Sequence, residues 1–137
     1  MPPRVSFFAW EATWKKALTL DRIQKKGFSL ANRCYLCLAE EESIDHILLH
    51  CGLARSLWSL LFSLFEVSWV LPSSIREALL GWFWPCVGKE RKKVWFSAPL
   101  YLFWIVWKEK NNRAFENEEH TIHGCKSFFL CNMWAWD

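Results

Sequence analysis

Residues 34–51 read Cys34-Tyr35-Leu36-Cys37-Leu38-Ala39-Glu40-Glu41-Glu42-Ser43-Ile44-Asp45-His46-Ile47-Leu48-Leu49-His50-Cys51. Two cysteines separated by two residues sit on a tight turn from which both sulfurs can face one ion, while backbone amides of the turn meet the thiolate charge. Eight residues separate Cys37 from His46, and four separate His46 from Cys51. Later ligands on an adjacent helix would complete a tetrahedron. Soft thiolates with one imidazole favour zinc over magnesium or calcium. An ion held by four protein side chains has no open position for an activated water, so the motif implies one structural zinc and no catalytic one. His50 stands four residues after His46 and would share its face on a continuous helix. The residues alone therefore allow two ligand sets: Cys34, Cys37 and His46 with either Cys51 or His50.

Outward from this motif the chain reads as helices. Ser43 is placed to cap a helix carrying Asp45 and His46, with Glu40, Glu41 and Glu42 near its positive end. Upstream, Val5, Phe8, Trp10, Ala12 and Trp14 give a first helix over residues 4–18. Thr19 caps a short second one through Lys26, Gly27 supplies a left-handed stop, and Ser29 to Arg33 form a loop to the metal. Downstream, Leu53, Leu57, Leu60, Leu61, Leu64 and Phe65 form a helical stripe that Trp58 and Phe62 widen, ended by Pro72. Ser74 with Glu77 is a capping box ahead of Ala78, Leu79, Leu80 and Trp82. Pro85 and Gly88 mark a turn. A long helical stretch from Glu90 to Phe115 follows, in which Pro99 predicts a kink or a junction of two helices near Ser97. A last helix from Thr121 puts Ile122, Cys125, Phe128 and Phe129 on one side. No segment alternates as a strand does, and neither a repeat nor a low-complexity linker divides the chain. The expected fold is mainly α: a small helical domain with a Cys-Cys-His-Cys zinc knuckle and several packed C-terminal helices.

Composition supports a folded unit. Over 137 residues, 53% are apolar and 23% charged, which excludes a disordered chain. The eleven tryptophans exceed what so small a domain can hide, so some aromatic surface is expected at the exterior. Residues 1–37 hold seven bases against two acids, placing the basic excess just before the metal motif. Lys15, Lys16, Arg22, Lys25, Lys26 and Arg33 form either a solvated helix face or a phosphate-facing one. Six cysteines without a signal-peptide pattern point to a reducing, intracellular setting compatible with the nucleus. The longest apolar run, Val94 to Trp107, contains Pro99 and is short of the roughly 20 residues that span a bilayer.

The run Val5-Ser-Phe-Phe-Ala-Trp10, then Leu20-Asp-Arg22, Gly27, Cys34-x2-Cys37, Glu41-Glu-Ser-Ile-Asp-His46, Cys51 and Trp58 resembles the zinc-binding domain of plant non-LTR (LINE-type) retrotransposon reverse transcriptases. That likeness implies a reverse-transcriptase zinc-binding domain over residues 2–60. It also favours Cys51 over His50, because the family pattern places its fourth ligand at the cysteine after the histidine. The segment Trp104-Ile-Val-Trp-Lys-Glu-Lys-Asn-Asn-Arg-Ala-Phe115 resembles the stretch preceding the ribonuclease H region in such polyproteins, which implies a helical extension over residues 61–137. The resemblance further implies that the opening Met-Pro-Pro-Arg lies inside a longer reading frame, so the chain reads as a fragment.

Polymerase and ribonuclease H chemistry both need carboxylates converging on metal ions. Asp21, Asp45 and Asp137 are the only aspartates, and the glutamates fall mainly in solvated runs such as Glu116, Glu118 and Glu119, so no enzyme is expected. Two roles remain. In the first, zinc fixes the knuckle so that Lys25, Lys26 and Arg33 meet the phosphates of RNA or DNA and Tyr35 stacks on an unpaired base. In the second, the module braces the polymerase and ribonuclease H regions of a parent polyprotein. No membrane partner is expected.

Overall fold

The computed structural model describes residues 3–14, 16–27, 31–82, 91–116 and 118–134. Lys15, part of the loop from Ser29 to Arg33, the turn at Pro85 and Gly88, Cys86, Glu90 and Asp137 lie wholly or partly outside these residues. Among the described residues six α-helices follow one another: α1 Pro3–Thr13, α2 Leu20–Lys25, α3 Gly52–Phe65, α4 Ile75–Gly81, α5 Lys92–Asn111 and α6 Ile122–Trp134. Two π turns, His46–His50 and Asn112–Glu116, join them. Among the described residues there is no strand, and no helix is long and apolar enough to cross a membrane.

Helix α5 is the central element, packed against α1, α3, α6 and the first π turn. It is apolar nearly all round, with Val94, Trp95, Ala98, Tyr101, Leu102, Phe103, Ile105 and Val106 buried, which is the pattern of a helix enclosed by neighbours. It runs through Pro99 without dividing. Pro99 has no amide hydrogen for the carbonyl of Trp95, and the Trp82 indole supplies one instead, donating from Nε1 at 2.7 Å. In return Trp95 Nε1 donates to the Trp82 carbonyl at 3.0 Å. The two rings lie stacked, 4.1 Å between centroids and 8° from parallel. A tryptophan pair thus closes the gap in the ladder, and the expected junction of two helices near Ser97 is absent.

Around α5, several elements stop elsewhere than the sequence suggests. Helix α1 ends at Thr13, whose hydroxyl donates back to the Ala9 carbonyl at 2.8 Å. Its inward residues are Val5, Phe8, Ala9 and Ala12, whereas Phe7, Trp10 and Trp14 are exposed, so the surplus aromatics do reach the surface. Thr19 occupies the start of α2 but donates its hydroxyl to the Asp21 carboxylate, capping no amide. Gly27 adopts φ +94 at the end of α2, the left-handed stop its position implies. Helix α3 buries Leu53, Leu57, Trp58, Leu61 and Phe65 as the stripe predicts. It ends at Phe65, before Pro72, because Glu66 turns left-handed and the Val67 amide bonds the Phe62 carbonyl. Ser74 does cap α4, accepting from the Glu77 amide at 3.2 Å. In α6 the inward residues are Cys125, Phe129 and Met133, while Ile122 and Phe128 face outward. Spacing of four picks the buried set, which is narrower than the stripe expected from the sequence.

Candidate metal centre

The centre forms where the chain turns twice. Residues 34–37 make the first turn, closed by the Leu38 amide bonding the Cys34 carbonyl at 2.9 Å. Leu38 leaves that turn at φ 59, a left-handed conformation that costs a branched side chain about 1 kcal/mol or more. The Cys34 amide in turn bonds the Glu40 carbonyl at 2.8 Å, which folds the acidic run back over the turn. Ser43 accepts from the His46 amide at 3.1 Å, opening the helical segment at the position its residue type suggests.

The second turn is widened. The Cys51 amide bonds the His46 carbonyl at 2.7 Å, a five-residue step that makes residues 46–50 a π turn. This step stacks Cys51 beyond His46, so the two side chains share a side although an α spacing would favour His46 with His50. Cys51 then turns extended and opens α3.

One donor atom from each of Cys34, Cys37, His46 and Cys51 lies within 4.8 Å of all the others. Cys34 Sγ and Cys51 Sγ are 3.9 Å apart, and Cys37 Sγ stands 3.4 Å from His46 Nε2. Tetrahedral zinc with Zn–S of about 2.3 Å and Zn–N of about 2.0–2.1 Å would separate two sulfurs by about 3.8 Å and a sulfur and a nitrogen by about 3.6 Å. The donor set therefore fits zinc in number, chemistry and spacing. His50 points away, its Nε2 lying 3.3 Å from the Ser73 carbonyl oxygen. Cys125 is buried and Cys131 exposed, and neither joins the cluster.

Electrostatics agree with a site built for a cation. The Leu36 amide reaches Cys34 Sγ at 3.4 Å. A hydrogen bond to Cys51, followed by burial, pushes the Cys34 thiol far above the ordinary range, while that same bond lowers Cys51. Zinc binding to these sulfurs would release their protons. Burial lowers His46, against opposing pulls from Glu40 and Glu42, which keeps the imidazole in the neutral form a metal needs.

Three further residues hold this centre on the helices, and motif reading did not select them for that role. Glu42 stands in the sequence with Glu40 and Glu41 near a helix start, as charge at its positive end. It is fully buried, accepts from the amides of Leu20 at 3.1 Å and Tyr35 at 3.3 Å, and pairs with Lys110 at 3.5 Å. Lys110, buried near the end of α5, also donates to the Leu18 carbonyl at 3.3 Å and lies 4.2 Å from the centre of the Trp107 ring. Burial lowers Lys110, while Glu42 and the nearby Cys34 pull it back up. Arg113 donates to the Leu36 carbonyl at 3.3 Å, inside the first turn, and to buried Glu109 at 2.7 Å. The only sequence signal for these roles was the Trp104–Phe115 segment taken whole.

Lys25, Lys26 and Arg33 are exposed. Tyr35 is half-buried, with Lys110 Nζ 5.8 Å from its ring centre. No curated protein and no solved structure gives a match to the chain. The family model described as zinc-binding in reverse transcriptase matches residues 1–58, a span that includes the whole donor cluster. That segment therefore belongs to the zinc-binding domain family of retrotransposon reverse transcriptases, a helical module that carries one structural zinc.

Proposed function

We propose that the chain is a non-catalytic module of a plant-type non-LTR retrotransposon polyprotein, in which Cys34, Cys37, His46 and Cys51 bind zinc and the ordered knuckle presents Lys25, Lys26 and Arg33 to RNA or DNA. The observation that carries this reading is the convergence of four protein donors within 4.8 Å, which fills a tetrahedron and leaves no position for substrate or activated water. The ion's chemistry here would be to tie the first turn to the second through their side chains. Phosphate contact would come from exposed bases whose positions those turns define. Metal analysis and salt-dependent binding together test the proposal. The purified protein should hold one zinc per chain, and its affinity for a short RNA or DNA should fall linearly in log–log form with added salt. Less than a tenth of an equivalent of zinc after reconstitution would defeat the zinc reading. Binding that ignores salt would defeat phosphate contact.

A second reading has its own observation. The Glu42–Lys110 pair and the Arg113 bond to the Leu36 carbonyl join the knuckle to α5, which supports a role as a rigid brace between flanking parts of a polyprotein. Zinc with no affinity for nucleic acid would favour this role over the first.

A further inference from the structure

A cleft of about 400 Å³ is lined by the start of α1, the second half of α5, His120 and α6, and by none of Cys34, Cys37, His46 and Cys51. Its size falls within the roughly 300–1,000 Å³ of small-ligand pockets. Trp104 and Phe128 contribute aromatic walls, Arg4 and Lys108 stand among its lining cations, and Asn112 and Asn132 add amides. Phe128 is 58% exposed, a large apolar ring left uncovered beside a cavity. The Arg4 and Lys108 side chains are also exposed, and among the described residues neither side chain makes a hydrogen bond or ion pair. The cleft's one acid, Glu109, is already committed to Arg113 at 2.7 Å and to His120 Nδ1 at 2.8 Å. Asn132 Nδ2 already donates to the Phe128 carbonyl at 2.9 Å, which leaves its Oδ1. What remains for a ligand is therefore positive charge, flat apolar surface, the Asn112 amide and the Asn132 oxygen.

We propose that this cleft holds one unpaired nucleotide of a single strand, with its base against Phe128 and Trp104 and its flanking phosphates on Arg4 and Lys108. Planarity selects a base, since aromatic walls stack on any π face. The cations select the anionic backbone, and the amides suit base edges. A duplex is excluded because its base faces are occupied by its own stack. The proposal deepens the nucleic-acid reading above and rests on it, but uses a different surface from Lys25, Lys26 and Arg33.

The test is fluorescence anisotropy of the zinc-loaded full chain with a labelled short oligouridylate over a range of potassium chloride, with UMP as competitor. Phe128→Ala should weaken binding by about tenfold and Phe128→Tyr should restore it. Arg4→Ala with Lys108→Ala should reduce the log–log salt slope by about 1.4, the value for two single-strand phosphates. All three side chains are exposed, so folding should survive, and near-ultraviolet dichroism verifies that it does. Full affinity in these variants, with loss confined to Lys25→Ala/Lys26→Ala/Arg33→Ala, overturns the cleft and leaves nucleic-acid contact standing. Absence of binding by the zinc-loaded wild type overturns both the cleft and that contact, while zinc content separately decides the metal reading.

Discussion

Replacing Lys110 by methionine keeps much of the side chain's length and removes its charge. Glu42 would then remain fully buried, with the amides of Leu20 and Tyr35 as its remaining donors. Both partners are almost wholly shielded, at 3% and 0% side-chain exposure, so little solvent screening discounts the pair. Breaking a buried pair by removing one partner costs about 3–5 kcal/mol, and the two amides left on Glu42 place this case near about 3. That is a large share of the roughly 5–15 kcal/mol that stabilises a domain. Urea unfolding of the zinc-loaded protein, followed by tryptophan fluorescence and far-ultraviolet dichroism, measures it. Glu42→Gln combined with Lys110→Met should recover part of the loss by removing the unpaired buried charge, while one of the two backbone donors, which bond separate carboxylate oxygens, loses its acceptor. A loss below about 1 kcal/mol in the single variant, the range of exposed pairs, would refute the claim that this contact holds the knuckle on α5.

Trp82→Phe should destabilise by about 1–3 kcal/mol by leaving the Trp95 carbonyl without a donor, and a Pro99→Ala background, which restores an amide hydrogen, should shrink that loss in a double-mutant cycle. Leu38→Gly should be neutral or stabilise by up to about 1 kcal/mol, whereas Leu38→Val should destabilise, since φ 59 suits glycine and penalises a β-branched residue; equal stabilities would mean the turn is not left-handed in solution. Burial pushes the Glu109 carboxyl up, but hydrogen bonds from Arg113 and His120 more than reverse this and hold it below its ordinary value of 4.5. Its ionised form therefore contributes stability that is present above pH 4.5 and lost as pH falls through the depressed value. Glu109→Gln should lower stability at pH 7 and flatten the acid limb of a pH series below 4.5, and acid limbs of equal steepness would contradict the network.

Local chemistry was the legible part. The Cys34–Cys37 turn, the caps at Ser43 and Ser74, the stop at Gly27 and the stripe of α3 each depend on residues within a few positions of one another, so type and spacing suffice to read them. Cys51 against His50 was harder, because an α-helical ruler misjudges a segment that widens into a π turn. What escaped reading were pairings between distant residues. Nothing beside Glu42 announces Lys110, and nothing beside Pro99 announces that Trp82 will supply the missing hydrogen bond. Burial reverses the meaning of such residues, turning a solvated acid into an anchor and a helix breaker into part of a core helix. The left-handed Glu66 that ends α3 carries no signal either, since glycine or asparagine is the usual marker.

X-ray absorption at the zinc edge of the reconstituted protein bears most directly on the central claim. Cys34, Cys37, His46 and Cys51 predict a four-coordinate shell of three sulfurs at about 2.3 Å and one nitrogen at about 2.0–2.1 Å. A shell of two sulfurs and two nitrogens would assign His50 in place of Cys51 and contradict the centre described here, as would any shell with a coordinated water.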